Sequence, residues 1–185
     1  MKNTKKALSV IYQEQAGSLY SYGCKFTRDS ELVKDCIHDV FVKLYEKEDL
    51  SSIQNMKFYL LRAFKNRLLD GLSEAPVKPV DDTLFSYMLE PSGEDRFIAD
   101  DETRQIRSYI EKAFEGLTGR QKEAVYLYYI EELEYGEIEQ LLDMNYQSVR
   151  NIVHRALNRL REQLGEKPPP FLFYYLRAEL FWGLE

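Results

Sequence analysis

The residues best suited to chemistry lie between Asn145 and Arg161, in the stretch NYQSVRNIVHRALNRLR. Asn145 is placed to cap a helix by accepting from a free backbone N–H. Val149, Val153, Ala156, Leu157 and Leu160 then recur at helical spacing and form one apolar stripe. Gln147, Arg150, Asn151, His154, Asn158 and Arg161 fall on the other side. Amides and cations on one helix face are the groups that read base edges and hold phosphates in a DNA major groove. The spacing therefore predicts the second helix of a helix-turn-helix. Gln147, Arg150, Asn151 and His154 are the base-edge candidates, and Ser148, Arg155 and Arg161 the phosphate candidates. Arg159 reads as a solvated or salt-bridged cation.

A second set of candidates lies in KFYLLRAFKNRLLD, residues 57–70. Lys57, Arg62, Lys65 and Arg67 are interleaved with Phe58, Tyr59 and Phe64. Aromatics beside cations suit unpaired bases, which stack while their backbone is neutralised, at roughly 1–3 kcal/mol per stacked base. A helix must also pack, so two of the three aromatics are expected in the core.

The elements that would position these residues are helical almost throughout, with no period-two alternation and no hairpin signal. Ala7 to Phe26 carries a moderate helical pattern with Leu8, Ile11, Tyr12, Leu19 and Tyr22. Asp29 or Ser30 is placed to cap the next helix. There Leu32, Val33, Cys36, Ile37, Val40, Phe41, Leu44 and Tyr45 make a wide core-facing stripe. Asp35, His38, Asp39 and Lys43 lie off it. A third helix spans about Asn55 to Ser73. From Ser73 to Asp101 the composition shifts to three prolines, Gly93, many carboxylates and two cations. This reads as an extended linker with an apolar island at Leu84 to Leu89. Helical character resumes near Glu102, with Ile106, Ile110, Ala113 and Phe114 on its apolar side. Thr118 and Gln121 in LTGRQ form a capping-box pair before the helix holding Ala124 to Ile130. The expected fold is all-α: two helical domains, 1–74 and 104–165, joined by an acidic linker, 75–103. An aromatic extension follows at 166–185.

Net charge of −6 excludes a protein that coats DNA generally, so nucleic-acid contact must come from local patches. Between Glu131 and Asp143 there are six carboxylates and no cation, whereas Gln147 to Leu164 carries four arginines and one glutamate. Two cysteines, Cys24 and Cys36, at apolar helical positions read as buried thiols in a reduced, cytoplasmic compartment. No second ligand pair stands at zinc spacing beside Cys36 and His38, so neither metal nor cofactor is expected. No apolar run reaches transmembrane length, which argues against membrane insertion. With two histidines and no phosphate loop or nucleophile motif, no catalytic constellation can be assembled.

Taken together, these segments resemble an alternative RNA polymerase sigma factor of the extracytoplasmic-function (ECF) type, within the sigma-70 family. LTGRQKEAVYLYYIEELEYGEIEQLLDMNYQSVRNIVHRALNRLRE is similar to the family's region 4. DSELVKDCIHDVFVKLYEKE followed by KFYLLRAFKNRLLD is similar to region 2. The two cover roughly two-thirds of the chain, in the family's order. The resemblance implies core RNA polymerase and promoter DNA as partners, with control by an anti-sigma factor, and a role in promoter-specific transcription initiation without catalysis. It implies polymerase contact through Asp35, His38, Asp39 and Lys43. It implies capture of the melted −10 strand by Tyr59, Arg62, Lys65 and Asn66, and recognition of the −35 duplex by the helix after Asn145. For the linker it implies a path toward the polymerase cleft and RNA exit path; the composition alone fits a solvated tether equally well.

Three positions depart from the family pattern. Glu139 stands where a small residue is usual, Asp143 where the turn has glycine, and Glu134 where Ser or Thr caps the first helix. They bear on the angle between the two helices. The alternatives are a LuxR-like helix-turn-helix regulator and a degenerate relative that sequesters partners without reading DNA. The tail FLFYYLRAELFWGLE has six aromatics in fifteen residues. Such a segment should find cover, either completing the C-terminal core, docking on a lobe in a closed state, or meeting a partner.

Overall fold

The computed structural model describes residues 2–47, 50–73, 85 and 101–165, with side chains described from Leu8 and, after the linker, from Ser108. The tail 166–185 and all of the linker before 101 except Phe85 lie outside these residues. Seven helices and no strand are found among the described residues. The all-α expectation holds. The chain divides into two compact units, 1–80 and 81–185.

The first unit is built from α1 (Lys2–Gly23), α2 (Ser30–Glu46) and α3 (Met56–Ser73), each in contact with the other two. The α1 helix stops at Gly23, three residues before the patterned stretch ends, because its next residues turn back: Phe26 N–H donates to the Gly23 carbonyl at 2.9 Å. The Phe26 ring then packs edge-on against Tyr22, 5.1 Å between centroids. Asp29, not Ser30, caps α2, its Oδ1 accepting from Leu32 N–H at 3.0 Å. Asn55 does the same for α3, accepting from Phe58 N–H at 3.1 Å. Each satisfied N–H is one that the helix itself cannot pair.

The core of this unit is Leu19 and Tyr22 of α1, Val33, Cys36, Ile37, Val40 and Leu44 of α2, and Leu60, Leu61, Phe64 and Leu68 of α3. The α2 stripe is narrower than its pattern. Leu32 and Phe41 are half-buried, and Tyr45, expected in the core, is 53% exposed. The rim of a wide stripe stays wet where the neighbouring helices leave it uncovered. Gly23 marks the tightest approach: a Cβ there would stand 2.7 Å from Phe64 Cζ and 2.8 Å from Val33 Cγ1.

The second unit contains α4 (Asp101–Glu115), α5 (Gly119–Tyr129), α6 (Tyr135–Leu142) and α7 (Tyr146–Leu164). The capping box is present as expected: Thr118 N–H donates to Gln121 Oε1 at 3.0 Å, and Gln121 N–H to Thr118 Oγ1 at 3.3 Å. Ile110, Ala113 and Phe114 of α4 are buried with Val125, Tyr126 and Leu127 of α5 and Ile138 of α6. The α7 helix touches all three of the others. Phe85, in the apolar island of the linker, is buried with its ring 5.5 Å from that of Tyr126.

Gly23→Ala should destabilise the first unit by roughly 1–3 kcal/mol, the usual cost of overpacking a filled core. Chemical denaturation of the variant beside wild type measures it. A change within about 0.5 kcal/mol would mean that Phe64 and Val33 can move aside.

Candidate nucleic-acid interface

The helix-turn-helix is formed by α6, a tight turn and α7. Ile138, Leu141 and Leu142 of α6 pack inward, as do Val149, Val153, Ala156 and Leu160 of α7. Asn145 caps α7, its Oδ1 accepting from Ser148 N–H at 2.8 Å. With its apolar stripe buried, α7 turns the other side outward: Gln147, Arg150, Asn151, His154, Arg155, Arg159 and Arg161 are exposed, and Ser148 and Asn158 half-buried.

These polar side chains are tied to one another along the helix. Gln147 Nε2 donates to Asn151 Oδ1 at 3.1 Å, and Arg155 Nε to the Asn151 carbonyl at 3.2 Å. Farther along, Asn158 Nδ2 meets His154 Nδ1 at 3.4 Å, and Arg161 Nη1 donates to Asn158 Oδ1 at 3.1 Å. Residues three or four apart lie above one another on a helix, which is why the pairs form. The result is a row of donors and acceptors with reduced rotamer freedom and open lone pairs facing solvent. Such a row loses less entropy on meeting a base edge than free side chains would.

In the first unit the −10 candidates do not share one environment. Arg62 and Asn66, one turn apart on α3, are both exposed. Tyr59 is half-buried, with Lys47 Nζ 4.8 Å from its ring centroid, so aromatic and cation already stand together. Lys65 is different. It is only 9% exposed, because it continues the inward seam of Leu61, Leu68 and Leu72 at helical spacing. Of the four −10 candidates, Lys65 is the most buried. Of the three aromatics, Phe64 alone is fully buried; Phe58 and Tyr59 sit halfway.

On α2, Asp35, His38 and Lys43 are exposed. Asp39 is half-buried, and its Oδ2 accepts from Arg67 Nε of α3 at 2.7 Å. Asp39 thus joins two helices and has less freedom to serve an outside partner. Val42 and Tyr45, 40% and 53% exposed, complete the same side of α2 and were not singled out from the sequence. Their spacing from His38, four and seven residues, was the available signal.

Comparison with known proteins bears on both surfaces. A family model described as Sigma-70, region 4, matches residues 107–160, which span α7 up to Leu160. Over 152 residues the chain is 20% identical to the ECF RNA polymerase sigma factor SigM of Bacillus subtilis (strain 168), covering 82% of this chain and 91% of that relative. Residues 107–160 thus resemble sigma-70 region 4, and most of the chain is similar to an ECF sigma factor. Both likenesses support the function of an alternative sigma factor. The fold agrees with a solved structure of the sigma factor RpoE in complex with the anti-sigma factor NepR from Bartonella quintana. That match has a TM-score of 0.52 at 18% identity and covers 90% of this chain and 99% of that one.

The three departures from the region 4 pattern are accommodated locally. Asp143 adopts the left-handed conformation that glycine would supply, φ 51° and ψ 53°, and its N–H reaches the Glu139 carbonyl. Aspartate tolerates that region better than most residues with a Cβ. Glu134 stands at the N-cap of α6, where its N–H donates to Glu137 Oε2 at 3.0 Å, so that Glu137 closes the start of the helix. Glu139 is half-buried, with α6 and α7 still packed.

Sequence reading also missed a run of tyrosines. The rings of Tyr128 and Tyr135 stack at 4.7 Å, 6° from parallel. Tyr129 meets Tyr128 edge-on at 4.8 Å, and Tyr146 meets Tyr135 edge-on at 5.9 Å. The chain of rings links α5, α6 and the first residue of α7. The signal was YLYY followed by Tyr135 and Tyr146, but no periodicity puts residues from three helices together. Burial, then a hydrogen bond with Tyr128, pushes the Tyr135 phenol up to about 12.

No group of His, Cys, Asp and Glu able to hold a metal occurs among the described residues. Both thiols are free, Cys36 buried and Cys24 half-buried, and burial pushes both pKa values up. No described helix is long and apolar enough to cross a membrane.

Asp143→Gly should stabilise the second unit by about 1 kcal/mol, the relief of a left-handed residue with a Cβ. Equilibrium unfolding of the full chain checks it; a loss of stability would mean that the carboxylate itself holds the turn. For Tyr135 the folded state favours the protonated phenol. The stability it contributes is complete below pH 10 and is lost as pH rises from 10 toward 12. Wild type should therefore lose more stability than Tyr135→Phe across that window, and parallel pH profiles would contradict this.

Proposed function

We propose that this sigma factor binds core RNA polymerase through the exposed side of α2, captures the melted −10 strand with α3, and reads the −35 duplex with α7. The observation that carries the reading is the outward face of α7. Amides, imidazole and guanidinium groups are lined up there inside the segment that matches region 4, on a helix held by its buried stripe. Arg150 and the pair Gln147–Asn151 would contact base edges near the N-terminal end of the helix, where recognition helices meet the bases. His154 would follow one turn on. Ser148, Arg155 and Arg161 would face the phosphates.

In the first domain, residues 1–74, Asp35 and His38 are the proposed polymerase contacts, with Lys43 beside them and Val42 and Tyr45 adding apolar area. Asp39 serves them by fixing α2 against α3. Arg62 and Asn66 would hold an extruded base and its backbone, with Tyr59 as the stacking surface. The second domain, 104–165, reads the duplex, and the linker 75–103 spans the two. Carboxylates along α6 and its turn repel phosphate, so the second domain alone should bind DNA weakly and depend on polymerase for the rest. The protein acts by binding rather than by catalysis, in the cytoplasm, where polymerase is. An anti-sigma factor is the proposed regulator, supported by the fold shared with an RpoE that is held by NepR.

Mixing the full chain with core polymerase should give a stable complex that initiates from a matched promoter. No complex would refute the proposal. A complex that uses no promoter would favour sequestration, and DNA binding without polymerase would favour a LuxR-like regulator. In the complex, Arg150→Ala should cost about 1–3 kcal/mol in promoter binding and relax selection at one base pair rather than uniformly.

A further inference from the structure

The three side chains His154, Asn158 and Arg161 form a chain with a defined polarity. A guanidinium has only N–H donors, so the Asn158 group facing Arg161 at 3.1 Å must be its carbonyl oxygen. That leaves the Asn158 amide nitrogen, which carries only hydrogens to offer, facing His154 Nδ1 at 3.4 Å. A ring nitrogen can accept only when it bears no proton. The proton of the neutral imidazole is therefore on Nε2, the nitrogen not engaged by Asn158. His154 is exposed and Asn158 half-buried, so the donor end is the accessible one.

We propose that Asn158, itself oriented by Arg161, is a positioning residue that sets His154 as a donor through Nε2, so that this turn of α7 selects guanine in the duplex. The inference rests on the reading of α7 as the −35 reader. In the major groove a single donor finds two adjacent acceptors, N7 and O6, only on guanine. Adenine places the N6 amino donor beside its N7, cytosine presents a donor, and thymine offers the single acceptor O4 beside its methyl group. A histidine free to exchange tautomers would accept as well as donate and would discriminate poorly. Arg161 acquires a role besides the phosphate contact proposed for it, since its guanidinium has donors to spare. Asn158 touches no base in this arrangement.

Two measurements test it. Nitrogen-15 spectra of the histidines in the full chain, at about pH 8 where a free imidazole is neutral, should show the Nε2–H form for His154. Asn158→Ala should weaken that preference, and alanine is well tolerated within a helix. The Nδ1–H form, or a preference unchanged by Asn158→Ala, would overturn the proposal. In the second, the polymerase complex is used to select from duplexes randomised over the −35 region. Wild type should require guanine at one position. Replacing that base by 7-deazaguanine, which lacks the N7 acceptor, should cost roughly tenfold in binding and cost nothing further in His154→Ala. Asn158→Ala should relax the same position, whereas His154→Gln, which carries an amide donor near the place of Nε2, should keep part of the selection. If wild type selects no duplex sequence, the reading of α7 fails and this inference with it. Selection without a guanine that depends on His154 overturns this inference alone.

Discussion

The burial of one side of α7 is the constraint on which the C-terminal unit depends. Val149, Val153, Ala156 and Leu160 are at most 1% exposed, and the helix that carries them touches α4, α5 and α6. Burying four such residues contributes several kcal/mol, on the order of 1–3 each for the larger ones. One helix is thereby both the spine of the unit and its proposed reading surface. The polar face cannot rotate without exposing the core, so the direction in which Arg150, Asn151 and His154 point is set by packing. Precision at a recognition surface of this kind is inherited from the hydrophobic effect, and the side-chain chain along α7 refines it.

The N-terminal unit solves a related problem with three helices of similar weight. Phe64 of α3 reaches across to Tyr22 of α1, and Gly23 leaves the room that this approach needs. The Asp39–Arg67 pair ties α2 to α3 at the rim. A part-exposed ion pair of this kind adds little stability, up to about 1 kcal/mol, but it holds register between two helices that both carry proposed contact surfaces. The polar and apolar residues left outside, from Asp35 and His38 to Val42 and Tyr45, form a mixed surface. That composition is typical of an interface core with a polar rim.

Acidity runs through the design. Glu134, Glu137, Glu139 and Asp143 stand at the start, along and at the end of α6, the helix that precedes the arginines of α7. Repulsion of phosphate by one helix and attraction by its neighbour lower the affinity of the unit for arbitrary DNA and confine binding to contacts made by one face. On the proposed function, this suits a division of labour in which polymerase supplies the general grip. The tyrosine chain across α5, α6 and α7 adds a rigid apolar brace that carries no charge at neutral pH, so it stiffens the turn without adding to the repulsion.

Much of this was legible in the sequence, because it is local. Caps at Asp29, Thr118 and Asn145 follow from side chains that reach backbone only three residues away. The apolar stripes of α2 and α7 follow from helical spacing, and the resemblance to ECF sigma factors follows from the order of motifs. What lay outside local reach was set by tertiary contact. Lys65 reads as a surface cation by type, yet its place in the Leu61–Leu68 seam buries its stem. Tyr45 reads as core by spacing, yet neither neighbour extends far enough to cover it. Asp39 finds Arg67 twenty-eight residues away, and the tyrosines of three helices meet only once the helices pack. The sequence by itself determined which residues would form helices, where those helices begin, and which side of each is apolar. Only the tertiary structure decided how much of each apolar side is covered and which polar groups are already engaged, because burial and long-range pairing depend on neighbours that spacing along one helix does not encode.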